Sequence, residues 1–396
     1  MTFSTGTANR DQGSTDLTNK DHLLKKTYIL ASFVVLTIGA PLIGVYLSDR
    51  SPFLFASFPP LASPAEHKPF SWPVFLCYLS AVLGVAALLC FAAFRTPKKT
   101  ETIAAKNSGN LPWWGWSSLM LGILAWILAW TRFSWFAPWQ GYTFIPLWLS
   151  YIGVINALCV RQSGSCPLLD DPVFFAGLFP LSALFWWFFE YMNQFTRNWF
   201  YTGVDLSPLS YSIHATICFS TVLPAVYSSR IWIVRQSWFK NRFHGLPPFA
   251  RWTPKCFNEL LLHISIAGLI GVVLWPEQLF SLIWLTPLLV LTALKHLYGQ
   301  KTLFTILAKG DWRPAMSAAM AALLCGFFWE MWNYYSLAKW MYSIPSVHRF
   351  QIFEMPLLGY IGYIPFGLLC IELIEVVHRQ AFTSTPFTHD QTAVLK

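Results

Sequence analysis

The sequence predicts an all-α integral membrane protein with about ten transmembrane helices. Three observations lead to this fold class: a composition too apolar for a soluble domain, ten apolar runs of membrane-spanning length, and an internal repeat. The 396 residues are 55% hydrophobic and only 11% charged, and the mean hydropathy is +0.47. Because a soluble domain is about 25% charged, the composition indicates that lipid surrounds most of this chain.

The ten apolar runs have the length that a bilayer requires. A spanning helix needs about 20 mostly apolar residues, and in lipid its backbone must satisfy its own hydrogen bonds. Several runs begin at or next to a proline, which suits the first turn of a helix. The predicted spans are 28–47, 73–94, 114–133, 143–160, 173–191, 211–229, 259–275, 278–296, 314–333 and 356–377.

The positive charge predicts how the chain is oriented. The net charge is +9, and with ten spans and both termini in the cytoplasm most of the 27 Lys and Arg residues fall on the cytoplasmic side. Cytoplasmic loops of membrane proteins carry such an excess. We therefore expect a multi-pass protein of the cell inner (plasma) membrane. The basic residues are not interleaved with aromatic residues, so the bilayer is the expected partner and nucleic acid is not.

The second half of the chain repeats a motif at a fixed distance. Glu330 follows Glu190 by 140 positions, and Asn333 follows Asn193 by the same number. Both motifs read Phe, aromatic, Glu, two residues, Asn, and each is followed by Trp-x-Tyr. These later pairs are Trp199 with Tyr201 and Trp340 with Tyr342. A long fixed period indicates a duplicated structural unit.

The repeat divides the chain into six predicted parts. Each repeat unit holds four spans, so both units enter the membrane in the same direction, as parallel repeats related by a two-fold axis along the membrane normal. The parts are a disordered cytoplasmic tail (1–26), two N-terminal membrane helices with their loops (27–111), repeat unit 1 (112–229), a basic cytoplasmic linker (230–257), repeat unit 2 (258–377) and a C-terminal tail (378–396).

The two glutamates are the predicted catalytic groups. Counted at 1.5 Å per residue, Glu190 and Glu330 lie near the outer ends of their helices, and an asparagine three residues on shares the same face. Ionisable groups inside a membrane are costly and usually mark a functional site. We expect the carboxyls to meet across a shared cavity, with Asn193 and Asn333 orienting the substrate. A purely structural alternative is that each glutamate is solvated, caps a loop, or pairs with a basic residue just downstream, Arg197 or Lys339.

Aromatic residues complete the predicted site. Trp199, Tyr201, Trp340 and Tyr342 are predicted to bind substrate, together with Glu354, which otherwise caps the last helix. An interfacial belt of Trp and Tyr is the alternative interpretation of these rings. The eight Cys and nine His lack the spacing of a zinc site. No metal site and no cofactor are therefore expected.

One resemblance rests on the second unit. Trp340-Met341-Tyr342 followed by Pro356-Leu357, inside tandem membrane repeats, resembles the lycopene cyclases of the small membrane-domain type. The resemblance implies acid-initiated ring closure of an isoprenoid within the bilayer. That family has adjacent carboxylates after its proline, whereas Leu358-Gly359 follows here. The acid would then be Glu190, Glu330 or Glu354.

Three functions remain open at the level of sequence. The first is a protein that binds or processes a hydrophobic substrate, an isoprenoid or a lipid. The second is a proton- or cation-coupled transporter or channel, although no broken helix is evident in the sequence. The third is a structural membrane subunit whose Glu and Asn form interhelical hydrogen bonds. Whether the protein is an enzyme, and which proteins it meets, are not indicated.

Overall fold

The fold is almost entirely helical, as the composition predicts. The computed structural model describes residues 8–55, 58–60, 64–95, 109–240, 242–246 and 255–378. Within these ranges, eight helices are long and apolar enough to cross a membrane by length and composition. The predicted class of all-α membrane protein is therefore confirmed. Two further apolar helices, Trp72–Ala87 and Leu282–Leu297, are shorter than the eight.

The helices follow one another with few strands between them. The α-helices are α1 (Ala8–Leu47), α2 (Trp72–Arg95), α3 (Trp113–Trp130), α4 (Phe144–Ser163), α5 (Pro167–Asp170), α6 (Pro172–Thr196), α7 (Pro208–Phe219), α8 (Val222–Val234), α9 (Ser237–Lys240), α10 (Lys255–Leu274), α11 (Pro276–Leu279), α12 (Leu282–Leu297), α13 (Leu303–Leu307), α14 (Arg313–Tyr335) and α15 (Tyr363–Val377). Pro52–Phe55, Ser134–Tyr142 and Leu357–Gly362 are 3₁₀ helices. The strands are β1 (Trp199–Thr202), β2 (Lys339–Tyr342), β3 (Gln351–Ile352) and β4 (Met355–Pro356).

Helix α1 starts earlier than the sequence suggested. It begins at Ala8, so residues 8–26, which were predicted as part of a disordered tail, are helical. The segment contains no proline, and an ion pair of 2.8 Å between Lys25 and Asp21 on successive turns supports the helix. Farther along, α1 packs on α10. Gly44 lies so close to Ile270 that a Cβ there would stand 2.8 Å from its carbonyl oxygen, which shows how closely the two backbones approach.

The two halves of the fold pack into each other. Helices α3 and α4 form one antiparallel pair and α10 and α12 another, and each pair also contacts the glutamate-bearing helix of the other half. Trp148 of α4 packs on Trp329 of α14, with ring centroids 4.8 Å apart. Phe189 of α6 stacks on Trp284 of α12 at 4.9 Å. The core between α6 and α14 is therefore built by residues from both halves.

One predicted span is a broken helix. The apolar segment Pro208–Val234 is long enough to cross a membrane, but it divides into α7 and α8 at Ser220 and Thr221. Pro224 has no N–H to donate to the carbonyl of Ser220, so the helix ladder is interrupted there. The Ser182 hydroxyl bridges the break, because it donates to the Phe219 carbonyl (2.6 Å) and accepts from the Leu223 N–H (3.0 Å). No broken helix is evident in the sequence, but the structure has one at this segment.

Candidate functional site

A two-stranded antiparallel ribbon joins the two halves beside the ends of α6 and α14. Trp199 of β1 pairs with Tyr342 of β2, and Tyr201 pairs with Trp340. Side chains alternate along a strand, so these four rings lie on one side of the ribbon. The Trp of each Trp-x-Tyr motif therefore pairs with the Tyr of the other motif.

The two asparagines hold this ribbon in place. The Asn193 side chain donates to the Trp199 carbonyl (2.7 Å) and accepts from the Trp199 N–H (3.3 Å). The Asn333 side chain donates to the Trp340 carbonyl (2.8 Å) and accepts from the Trp340 N–H (2.9 Å). Each amide thus pairs with a backbone as another strand would. The sequence predicted that these asparagines orient the substrate. In the structure each one instead binds the backbone of a tryptophan and holds it in position.

Glu190 receives three aromatic donors on one oxygen. Its Oε1 atom accepts from Trp186 Nε1 at 2.9 Å, from Trp199 Nε1 at 3.1 Å and from the Tyr201 hydroxyl at 2.6 Å. Trp186 lies one turn before Glu190 on α6, and the other two donors come from β1. The residue is 2% exposed. No basic side chain of the described residues lies within ion-pair distance of this carboxyl.

Glu330 has a related but different set of donors. Its Oε1 atom accepts from the hydroxyls of Tyr342 (2.7 Å) and Tyr363 (2.8 Å), and Trp340 Nε1 donates to the Tyr342 hydroxyl (2.9 Å). The residue is fully buried. Among the described residues, its second oxygen, Oε2, has no hydrogen-bond partner. One oxygen of this carboxyl is therefore held by phenols and the other is free.

A glycine explains why the two sets of donors differ. Gly326 precedes Glu330 by one turn, at the place that Trp186 has relative to Glu190. A Cβ at Gly326 would lie 2.5 Å from the Tyr363 ring. The ring of Tyr363 therefore uses the space that a side chain at 326 would take, and it supplies the donor that Trp186 supplies in the other half.

The rings that bind the two carboxyls line one cavity of about 160 Å³. All four predicted aromatic residues are in its wall, and so are Trp186, Trp284 and Tyr363. Glu190 and Glu330 are not among the lining residues; they lie one layer behind the rings that they bind. The carboxyls therefore do not meet across the cavity, contrary to the prediction from the sequence. Instead, each carboxyl anchors aromatic rings that line the same cavity. Of the residues predicted from the sequence to bind substrate, Trp199, Tyr201, Trp340 and Tyr342 line the cavity.

The strand tyrosines remain hydroxyl donors over a wide pH range. Burial raises the pKa of Tyr201 well above its ordinary value, and the neighbouring Glu190 raises it further. Burial and the neighbouring Glu330 raise the pKa of Tyr342 in the same way. Both hydroxyls therefore stay protonated at physiological pH and can donate to the carboxyls behind them.

Glu354 pairs with a basic residue instead of joining a carboxyl pair. Lys339 Nζ lies 2.6 Å from Glu354 Oε1, and Lys339 lies in the cavity wall. Neither Arg197 nor Lys339 forms an ion pair with Glu190 or Glu330 in the described ranges. The structural alternative, in which a downstream basic residue neutralises each glutamate, is not what the structure shows.

Sequence reasoning missed most of the other wall residues, among them Trp186, Tyr363 and Trp284. The signal for Trp186 was present, because a Trp four residues before a Glu shares its helix face. Tyr363 and Trp284 reach the site only through tertiary packing, and no local pattern marks them. Trp135, Trp139 and Trp275 are well exposed on the surface, as the rings of an interfacial belt would be.

No metal-binding cluster of three or more His, Cys, Asp or Glu side chains occurs in the part of the chain that the structure describes. Comparison of the chain with models of known families, with curated proteins and with solved structures gives no match.

Proposed function

We propose that this protein binds or processes a hydrophobic substrate, an isoprenoid or a lipid, in the cavity between its two halves. The observation that carries the proposal is the ring-lined cavity whose walls are fixed from behind by Glu190 and Glu330. Ligand sites are concave, mostly apolar, and contain a few placed polar groups. The proposed partners are the lipid bilayer and one hydrophobic small molecule, and nucleic acid is not among them.

The proposal includes the finer architecture. The chain crosses the cell inner membrane ten times with both termini cytoplasmic, and the shorter helices Trp72–Ala87 and Leu282–Leu297 complete the count. The two units, 112–229 and 258–377, are parallel repeats. The β1–β2 register supports this, because Phe200 and Met341, the middle residues of the two Trp-x-Tyr motifs, pair with each other. A two-fold axis at that pair exchanges the halves.

The size of the cavity limits what it encloses. An engineered cavity of about 150 Å³ holds one benzene molecule, so about 160 Å³ encloses one ring or the end of a chain. A whole polyisoprenoid or diacyl lipid does not fit. The enclosed end of the substrate therefore meets the aromatic walls, and the rest of it extends from the cavity.

The layered site suits proton transfer through a tyrosine. For this transfer the Tyr201 hydroxyl, which donates to Glu190 in the structure, turns to the substrate and gives it its proton. The protonated Glu190 carboxyl then donates its own proton to the phenolic oxygen. The O–H bond of the acid breaks, the O–H bond of tyrosine is restored, and one proton passes from Glu190 to the substrate. Glu330 and Tyr342 can act in the same way. Ring closure of an isoprenoid, implied by the lycopene cyclase resemblance, is one reaction of this type.

The second candidate function is a transporter. The helix break between α7 and α8 favours it, since discontinuous helices beside a site between repeats are typical of transporters. Cys218 and Phe219 at the end of α7, and Val222 at the start of α8, line the cavity. In that function, the cavity is a solute site and the carboxyls bind a proton or cation.

The test replaces both carboxyls without removing their hydrogen-bond acceptors. Cells that produce the Glu190→Gln, Glu330→Gln double variant are compared with wild type by mass spectrometry of lipid and isoprenoid extracts. We expect the double variant to accumulate normally in the membrane. The lipid or isoprenoid species whose amount wild type changes should stay unchanged in cells that produce the variant. Glu66→Gln, an exposed carboxyl on an outer loop, is the matched control.

The other outcomes separate the functions. An extract that wild type leaves unchanged, together with altered solute uptake, selects the transporter. A double variant that fails to accumulate in the membrane selects the structural subunit.

A further inference from the structure

We propose that the ligand end enclosed by the cavity is positively charged, and that it is a methylated ammonium group such as trimethylammonium. The inference rests on the proposed function and names the chemical class of its ligand. Three features of the cavity lead to it: two buried carboxyls without a cation, a wall of tryptophan rings, and the volume.

The carboxyls leave the site without a balancing charge. Glu190 and Glu330 are 2% and 0% exposed, and in the described ranges neither forms an ion pair. Lys339, the lysine of the wall, is already paired with Glu354 at 2.6 Å. Because a buried charge is costly unless it is paired as well as hydrogen-bonded, a cation in the cavity would supply the missing partner. Among the described residues Glu330 Oε2 has no hydrogen-bond partner, and because Glu330 does not line the cavity, a cation there acts on it through its charge and not through a hydrogen bond.

The wall offers the surface that such a cation prefers. Five tryptophans line the cavity: Trp186, Trp199, Trp284, Trp329 and Trp340. A cation is attracted to the face of an aromatic ring, and tryptophan is the strongest of the three rings. Where the indole N–H groups of Trp186 and Trp199 donate to Glu190, the donation fixes the ring planes, and the carboxylate adds negative charge behind them.

The same geometry selects a methylated ammonium over a primary amine. A primary amine brings three N–H donors that need acceptors, whereas the carboxyls lie behind the rings and their Oε1 atoms already accept two or three hydrogen bonds. A quaternary ammonium has no N–H to satisfy. It is also compact enough for a cavity of about 160 Å³.

The experiment compares a cation with its neutral isostere. Choline and 3,3-dimethylbutan-1-ol differ by replacement of the charged nitrogen with carbon, so their ratio of affinities isolates charge. Binding is measured by calorimetry and by tryptophan fluorescence on the purified full chain in a maltoside detergent. We expect choline to bind at least tenfold more tightly than the isostere.

Variants connect the preference to the site. Glu190→Gln with Glu330→Gln should bring the ratio close to one, and Glu66→Gln should leave it unchanged. Trp284→Leu removes a ring face without touching either carboxyl and should weaken choline binding, while Trp284→Phe restores much of it. The wild-type ratio needs no variant, so the proposal remains testable if a variant fails to fold.

The source of the cation is a separate arm of the test. The chain is placed in nanodiscs of phosphatidylglycerol with or without phosphatidylcholine. If phosphatidylcholine competes with choline, the ligand is a lipid headgroup; if choline binds equally in both, the ligand is a free organic cation. Either result supports the proposal.

Two results overturn it in different ways. If choline and the isostere bind equally, the positive charge does not contribute to binding and the carboxyls are neutral. The inference then fails, while the proposed function of binding a hydrophobic ligand stands. No binding of either compound, together with no lipid in the purified protein, contradicts the proposed function as well.

Discussion

Trp199 on β1 lies directly opposite Tyr342 on β2, although the two residues are 143 positions apart in the chain. Trp199 donates to Glu190 at 3.1 Å and Tyr342 donates to Glu330 at 2.7 Å. One rung of the ribbon therefore links the surroundings of both carboxyls. Substitutions that loosen the ribbon should therefore affect the hydrogen bonds of both carboxyls.

The asparagine anchors provide the first test of this link. Asn193→Ala removes the hydrogen bonds to both backbone groups of Trp199 and leaves them buried. A buried group without its partner costs about 1 to 3 kcal/mol, so we expect a destabilisation of that size in thermal unfolding of the purified protein. Gln194→Ala, on the next residue, should change stability by less than about 0.5 kcal/mol. Equal effects of the two substitutions would contradict the anchoring role.

The strand tyrosines predict a loss of stability at high pH. Their folded pKa values lie above the unfolded value of about 10, so their contribution is complete below pH 10 and is lost as the pH rises toward the folded values. Wild type should therefore lose stability above about pH 10 more steeply than Tyr201→Phe with Tyr342→Phe. Tyr46→Phe, at an exposed position, is the control. Parallel stability curves for wild type and the double variant would refute the assignment.

Gly326 predicts a local effect at the second carboxyl. Gly326→Ala places a methyl group against the Tyr363 ring, so the ring must move away from Glu330. We expect destabilisation of about 1 to 3 kcal/mol from overpacking and weaker ligand binding. Gly177→Ala, where the added methyl meets open space, should be neutral or stabilising. If Gly326→Ala binds ligand as wild type does, Tyr363 is not needed at the site.

Ser182 predicts how much the broken helix depends on one hydroxyl. Ser182→Ala leaves the Phe219 carbonyl and the Leu223 N–H without a partner, and we expect a loss of about 2 to 4 kcal/mol. Ser182→Thr keeps the hydroxyl and should recover most of it. Ser212→Ala, which removes a hydroxyl bonded within its own helix, is the comparison. The measurement is thermal unfolding followed by circular dichroism, and a small effect of Ser182→Ala would mean that water replaces the hydroxyl.

A buried ion cluster far from the cavity predicts strong coupling between α12 and α15. Lys295 donates to Glu372 and lies 3.4 Å from Glu375. Lys295→Met leaves a buried carboxylate without its cation, which costs about 3 to 5 kcal/mol. Adding Glu372→Leu should restore most of the stability, as measured by a double-mutant cycle. If the second substitution makes stability worse, loss of the hydrogen bond from the Leu303 N–H to Glu372 (2.9 Å) outweighs removal of the unpaired carboxylate.

The helical class and the residues of the site could be predicted because their signals are local. Composition and run length indicate membrane helices, and the 140-residue offset identifies Glu190 and Glu330 in motifs that share a Phe two residues before the Glu and an Asn three residues after it. The Trp-x-Tyr pairs were named for the same reason, and the structure places all four rings in the cavity wall.

The layering of the site could not be predicted. It depends on the pairing of β1 with β2, a contact between segments far apart in sequence, and on the backbone bonds of Asn193 and Asn333. An asparagine that binds a ligand and one that binds a backbone look the same in a sequence. The break at Ser220 could not be predicted from Pro224 alone, because Pro180 also lacks an N–H and lies within the continuous helix α6.

The shared cavity sets the stoichiometry of the molecule. A chain with two matched halves would be expected to hold two ligands, one for each copy of the motif. Here residues from both halves line the same cavity, so the proposed function predicts one ligand for this cavity and not one for each motif. Trp186 has Gly326 as its counterpart, and Tyr363 fills the space beside that glycine, so the two halves present different side chains to whatever the cavity binds.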